Sequence, residues 1–269
     1  MPGRARPKVA SPAHFAGYAA ILSSAALFPF GPPWAAAPLA CFVLACAAAS
    51  LSPRSRFYMP VISRGHTGRR AVALTFDDGP DPLTTPLLLA TLSKHRVKAA
   101  FFVSGRNAVR HPELVRQILG DGHEVGNHSC SHDPFLMLYP YRSLSREIGG
   151  AQDVLAEFGI RPLAFRPPVG LTNPKLPPVL DALGMFCVTF SCRSFDRGNR
   201  RIDGMAARIM KRIRPDDIVL LHDVRPRGEN GVPRWLQEIE AILDGLAAKD
   251  LQALPLGELI GRPVMETHG

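Results

Sequence analysis

Asp77-Asp78-Gly79-Pro80 sets two carboxylates side by side, directly after the apolar run Ala71 to Phe76. Adjacent ionised carboxylates repel one another unless a cation sits beside them. A metal ion held by one, with the other ionised as a base beside it, removes the repulsion and gives both a task. A second set, His128-Ser129-Cys130-Ser131-His132, offers two imidazoles four residues apart, and on a helical turn residues i and i+4 share a face. Two neutral imidazoles and one carboxylate make a three-ligand site with one position open to water, the usual way of holding catalytic zinc. Zinc is the first expectation, although the same donors accommodate other divalent ions. Taken singly, each set has a plainer reading, as a polar turn or as surface histidines. His95, His111 and His123 lack comparable partners and read as ordinary polar or surface residues.

Two further elements add polar groups at the ends of apolar runs. In Phe165-Arg166-Pro167-Pro168-Val169-Gly170 the prolines stiffen the backbone and have no N–H, so Val169 and Gly170 supply the donors for a developing oxyanion. A proline-rich turn is the competing reading. Ile218-Val219-Leu220-Leu221-His222-Asp223 ends an apolar run in a histidine placed to protonate a leaving amine, unless it is only a half-buried strand-end residue. Asp196 is positioned in the chain to orient His222 and raise its basicity.

These residues need a frame that brings strand ends together. From about residue 68 onward, short apolar runs alternate with helical periodicity. Strands are expected at 71–76, 98–103, 122–125, 163–165, 185–190 and 218–221, and helices at 112–119, 143–158, 177–183, 204–213 and 235–246. That alternation implies a parallel sheet or barrel with its chemistry at the carboxyl ends of the strands. Residues 1–67 differ. Phe15 to Phe30 and Trp34 to Leu51 carry no charge, and Gly31-Pro32-Pro33 breaks the run between them. Two short spans forming a membrane hairpin (about 15–30 and 34–51) are the simplest reading, with a signal peptide as the rival. Arg4, Arg6 and Lys8 precede the pair and Arg54, Arg56 and Arg64 follow it, which favours the cytoplasmic side for both flanks and for the domain at 68–269.

The net charge of +9 allows contact with anionic lipid or an acidic glycan. No aromatic-plus-basic nucleic-acid motif accompanies the charge, so no nucleic-acid partner is expected. Five cysteines without a CxxC argue against a disulfide framework, and Cys187 and Cys192 read as small apolar fillers.

Taken in order, Thr75-Phe76-Asp77-Asp78-Gly79-Pro80, His128 to His132, Arg166 to Gly170 and Leu220-Leu221-His222 closely resemble the polysaccharide deacetylase family, the NodB-homology or carbohydrate esterase family 4 enzymes. The resemblance spans about residues 70–255. It implies a distorted (β/α)7 barrel, Asp77 as general base, Asp78, His128 and His132 as ligands of a divalent metal, and His222 as general acid. It further implies that Arg166 orients Asp77 and that the Val169 N–H helps to bind the oxyanion. The substrate so implied is an N-acylated amino-sugar glycan; the apolar N-terminal helices, outside the resemblance, are expected to hold the hydrolase to membrane lipid, such as that of a bacterial inner membrane. Two alternatives stay open: a deformylase or deacylase of a lipid-linked sugar at the cytoplasmic membrane face, and a catalytically silent glycan-binding scaffold. The chain departs from the family's Asp-x-x-Asp-Trp motif, reading Arg193-Ser194-Phe195-Asp196-Arg197, and carries Val169 where Tyr is frequent. The second acid is kept and the Trp is absent. Arg193 and Arg197 would suit a substrate with anionic groups.

Overall fold

The computed structural model describes residues 10–267. Arg4, Arg6 and Lys8 of the basic flank lie outside them. Two apolar helices come first, α1 (Pro12–Leu27) and α2 (Pro32–Leu51), joined by a 3-10 turn at Phe28–Phe30. Gly31 makes the reversal at φ 112°, a conformation closed to side-chain-bearing residues. Pro12–Phe30, which is α1 with the 3-10 turn, and α2 have the length and mean hydropathy (1.3 and 1.9) of membrane spans and are almost wholly uncovered by the rest of the chain.

The remaining elements are β1 (Val61–Ile62), β2 (Ala71–Asp77), α3 (Thr84–Lys94), β3 (Ala100–Val103), α4 (Gly105–Arg110), α5 (Pro112–Gly120), β4 (Glu124–Asn127), α6 (Tyr141–Ala156), β5 (Ile160–Pro162), β6 (Ala164–Phe165), α7 (Leu176–Leu183), β7 (Phe186–Val188), β8 (Cys192–Arg193), α8 (Met205–Met210), β9 (Ile218–His222), α9 (Gly231–Ala248), β10 (Gln252–Ala253), α10 (Leu256–Ile260) and β11 (Met265–Thr267).

The main sheet runs β1-β7-β6-β4-β3-β2-β9-β8, every neighbouring pair parallel, with β10 alongside β2. Strands β7 and β8 lie near opposite ends of this order, yet only residues 189–191 separate them in sequence. The sheet therefore has to curl until its ends approach, which gives the distorted parallel barrel. A short antiparallel pair, β5 with β11, lies outside it.

Alternation along the strands sorts side chains between lumen and exterior. Val72, Leu74 and Phe76 of β2 join Val219 and Leu221 of β9 in an outer core packed on α3, α8 and α9, with Trp235 fully buried in it. Ala71 and Ala73 face inward with Phe102, Val188, Phe190 and Leu220, and Leu254, Leu256 and Leu259 belong to the same inner cluster. Alanines suit a narrow lumen that already holds aromatic rings. Register makes the upper ends level: Asp77 pairs with His222 on one side and with Phe102 on the other, Val103 with Asn127, and Asn127 with Phe165.

The expected helices and strands all occur, shifted by a few residues at their ends, while α3, α4, α10 and the short strands β1, β5, β8, β10 and β11 were not anticipated. The base of the apolar hairpin is tied to the barrel. Ala13 N donates to Phe57 O (3.0 Å), Tyr58 Oη to Cys46 O (2.7 Å), Thr172 N to Ser50 O (3.4 Å) and Thr189 Oγ1 to Pro53 O (2.6 Å).

Candidate active site

Asp77 is the last residue of β2, and Asp78 follows at φ 76°, a left-handed turn that a short polar side chain tolerates. The turn is clamped from beneath. Asp223 N donates to Asp77 O (2.9 Å), and the buried Asp223 carboxyl accepts from Thr84 Oγ1 (2.7 Å) and Thr85 Oγ1 (2.6 Å) at the start of α3. Burial raises the Asp223 carboxyl to about 7 against those two hydrogen bonds. Asn107 of α4 completes the clamp, its Nδ2 donating to Asp78 O at 2.7 Å.

The two histidines meet across a loop, not on a helical turn, which corrects the sequence expectation. His128 continues the β4 ladder through its N–H to Val103 O (3.0 Å). Ser129 and His132 both take positive φ (65° and 54°), Asn127 Oδ1 accepts from Ser129 N (2.9 Å), and Ser129 Oγ accepts from His132 N (3.2 Å). These local side-chain bonds replace the helix and fold the loop back, leaving the rings 4.9 Å apart.

Asp78 Oδ1 lies 3.2 Å from His128 Nε2 and 2.8 Å from His132 Nε2. His128 Nδ1 is 2.8 Å from the carbonyl oxygen of Arg166. A carbonyl only accepts, so Nδ1 carries that proton and the Nε2 of a neutral ring presents its lone pair to Asp78. Lone pairs from an imidazole and a carboxylate facing each other need a cation between them, and an Nδ1–H bond to a carbonyl oxygen behind the ring is a normal way for a ligating histidine to be oriented. Asp78 Oδ1 is also buried without a hydrogen-bond donor of its own. The donor set therefore fits a divalent cation, and these three residues are the one such group among the described residues. Burial opposes the Asp78 charge, but His128 and His132 outweigh it and hold the carboxyl well below its ordinary value. For His132, burial pushes the ring down and Asp78 more than offsets it.

Arg166, at the end of β6, is wholly buried. Its Nη1 donates to Asp77 Oδ1 (2.6 Å) and Thr75 Oγ1 (2.7 Å), its Nη2 to Thr189 O (2.9 Å), and the guanidinium stacks 3.9 Å from the Phe102 ring centre. These four contacts fix the guanidinium, which in turn orients the Asp77 carboxylate, with its Oδ2 3.8 Å from His128 Nε2. Downstream, Val169 sits at φ 54°, costly for a β-branched residue, and is 56% exposed, so its side chain is not what holds it there. Gly170 N–H closes the turn onto Pro167 O (3.0 Å). Of the two donors expected from this loop, the Val169 N–H is thus the one left to a ligand.

His222 ends β9, and its Nδ1 lies 2.7 Å from Asp196 Oδ2, so the proton on Nδ1 is held by the carboxylate and Nε2 faces the site. Burial pushes the ring down, but Asp196, then Asp78 and Asp77, raise it to about 9. Asp196 is held in turn by Ser194 Oγ (2.6 Å), and Asn199 Nδ2 donates to His222 O (3.0 Å) and Val224 O (2.7 Å). Beside Asp78, His128 and His132 opens a cleft of ≈ 240 Å³ lined by Asp78, His132, Ser104, Arg106, Asn107 and Arg110 among others.

All eight residues expected from the sequence gather at this end of the barrel. Thr75, Asn107, Ser194, Asn199 and Asp223 were missed; Thr75, Ser194 and Asp223 stood inside quoted motifs without being given a role, and Asn107 and Asn199 stood in none. His123, expected to be an ordinary polar or surface residue, is buried; its Nδ1 accepts from Ala99 N (3.1 Å), and burial first, then Lys98, lower it to about 4.

Known proteins share this fold. The model of the family described as polysaccharide deacetylase matches residues 64–188. A chitooligosaccharide deacetylase of Sinorhizobium fredii is 35% identical over 176 residues, covering 64% of this chain and 80% of that protein. A peptidoglycan-N-acetylglucosamine deacetylase of Bacillus cereus is 32% identical over 197 residues, covering 71% and 88%. The crystal structure of the Bc1960 peptidoglycan N-acetylglucosamine deacetylase, in complex with 4-naphthalen-1-yl-N-oxidanyl-benzamide, superposes with a TM-score of 0.66 at 28% identity, over 76% of this chain and 94% of that one. Similarity of this extent, carried by the same curled parallel sheet, makes the chain a member of the polysaccharide deacetylase family, hydrolases of a linear amide carbon–nitrogen bond.

Proposed function

We propose that this enzyme removes the N-acetyl group of an amino sugar within a glycan, using a divalent metal held by Asp78, His128 and His132. The observation that carries the reading is the convergence of Asp78 Oδ1 and two histidine Nε2 atoms, one of them fixed as a lone-pair donor by its Nδ1–H bond to Arg166 O. A divalent cation, when bound there, lowers the pKa of a water and polarises the amide carbonyl; zinc is the first choice for these donors. Asp77, locked by Arg166, accepts the proton of the attacking water. The Val169 N–H donates to the oxyanion as it develops. His222, kept protonated by Asp196, gives its Nε2 proton to the departing sugar nitrogen, and the products are a free amine and acetate.

The chain then divides into an anchor, residues 1–67, and a catalytic domain, residues 68–269. The anchor is two membrane spans whose basic flanks favour the cytoplasmic side. A formyl group in place of acetyl would use the same machinery and differs only in product. A silent glycan-binding scaffold would have no use for a locked base, an oriented acid and a free oxyanion donor in one place.

The test is release of acetate from an N-acetylglucosamine oligosaccharide by purified, zinc-loaded enzyme, with the formylated sugar run beside it. Asp77→Asn should lower kcat by roughly 10²- to 10⁴-fold. Absence of turnover on every acylated amino sugar would favour the scaffold.

A further inference from the structure

The hairpin base and the catalytic rim meet at a group of arginines that the chemistry above does not use. Arg193 issues from β8 opposite Leu220 of β9, on the lumen-facing side that two residues later carries His222. Its guanidinium stacks 4.2 Å from the Phe195 ring centre and 5.7 Å from that of Phe190. Phe190 lies against Gly170, beside the Val169 donor. Arg212 stacks on the other part of the group, 4.8 Å from Phe195. Arg54, three residues beyond the end of α2, donates from Nη2 to Ser191 O.

All three arginines are exposed, and none forms an ion pair with a carboxylate among the described residues. Burial, then Arg212 and Arg54, push the Arg193 guanidinium below its ordinary value, so the cations sense one another. Like charges held together by stacking and backbone bonds form a site that an anion relieves, and a guanidinium fork matches phosphate oxygens.

The location says which anion. His222 addresses the leaving nitrogen, so the sugar extends toward the β8–β9 side, where Arg193 stands. In a 2-amino sugar the anomeric oxygen is on the carbon next to the one bearing nitrogen, so an anomeric phosphate falls within one sugar ring of His222. Arg54 is also at the level where a hairpin inserted through α1 and α2 would leave the bilayer, the level of lipid phosphates.

Resting on the deacetylase reading, we infer that Arg54, Arg193 and Arg212 form a phosphate subsite for a membrane-held substrate: an N-acetylated amino sugar joined through phosphate to a lipid. Phosphate could reach these arginines from the substrate or from bilayer headgroups, and the experiment separates the two.

Full-length, zinc-loaded enzyme in phosphatidylcholine nanodiscs is assayed on N-acetylglucosamine 1-phosphate, on its uncharged methyl glycoside and on a lipid-linked N-acetylglucosaminyl phosphate in the same bilayer. The sugar phosphate's binding is measured separately by calorimetry. The expected result is a KM at least about tenfold lower for the phosphate-bearing sugars, an advantage erased in R193Q/R212Q, reduced in R54Q and partly restored in Arg193→Lys. Lys249→Gln, at the far end of α9, should leave it in place. Equal KM values for charged and uncharged sugars, or an advantage that survives R193Q/R212Q, would overturn the subsite while acetate release still upheld the deacetylase. Sugar-phosphate binding lost in the double variant, with no turnover of any substrate by wild type, would uphold the subsite and remove the deacetylase reading. If the double variant lost only its affinity for phosphatidylglycerol vesicles, the arginines would be reading lipid headgroups, and the proposal would fall.

Discussion

In the proposed mechanism Asp196 controls the proton that His222 gives away. Burial alone would leave the imidazole neutral at pH 7; the carboxylate at 2.7 Å reverses this and lifts it to about 9. A general acid works only while protonated, so turnover should hold up to about pH 9 and fall above it. In Asp196→Asn the raising partner is gone and burial remains, so the alkaline limb of the kcat profile should move down by roughly one unit or more. A limb that stays put in the variant would assign it to another group. Val169 provides a different check, because its contribution is a backbone N–H. Val169→Gly, which suits φ 54° better, should keep kcat within a few-fold. Val169→Pro, with no N–H and a fixed negative φ, should lower it by about 10²- to 10³-fold. Comparable kcat for the two variants would remove the oxyanion role.

Elements decide how those residues come to face one another. The β2 turn leaves no room at Gly79: a Cβ there would sit 2.6 Å from Asp223 Oδ2. Gly79→Ala should therefore cost about 1–3 kcal/mol in a denaturant melt and also displace Asp78, weakening zinc binding. An unchanged midpoint would show that the clamp yields freely. The strands were legible because each is a short apolar run ending in a polar residue, and parallel register then brings those ends level without further information. Asp78, His128 and His132 could be named from residue type, since few other tasks call for that trio. The path from His128 to His132 could not, because the loop is held by Asn127 and Ser129 bonds that outcompete helical spacing. Helix α3 was hidden by Pro82 and Pro86 and by its reliance on Asp81 and Asp223, one local and one 138 residues away, for its first turn. Thr75, Asn107 and Asn199 escaped for the same reason: each acts through a distant backbone or side-chain partner that composition does not reveal.

At the scale of the whole molecule, an almost uncovered apolar hairpin is bonded through its base to the segments that carry the Val169 loop and Thr189. The apolar hairpin is therefore joined to the rim that carries the candidate site. Phe15, Leu22, Phe28, Trp34 and Leu44 on the hairpin are each more than 60% exposed, a surface that water does not favour. The full chain should stay in the membrane fraction through alkaline carbonate and be released only by detergent; release by carbonate alone would remove the two-span anchor. A reporter joined after Gly269 should be active on the cytoplasmic side, which the basic flanks favour. The proposed chemistry rests on one cation. A crystal of the zinc-loaded enzyme, with anomalous diffraction measured on both sides of the zinc absorption edge, should show one strong peak within bonding distance of Asp78 Oδ1, His128 Nε2 and His132 Nε2. A zinc-saturated crystal with no peak there, or with its peak on other residues, would contradict the account.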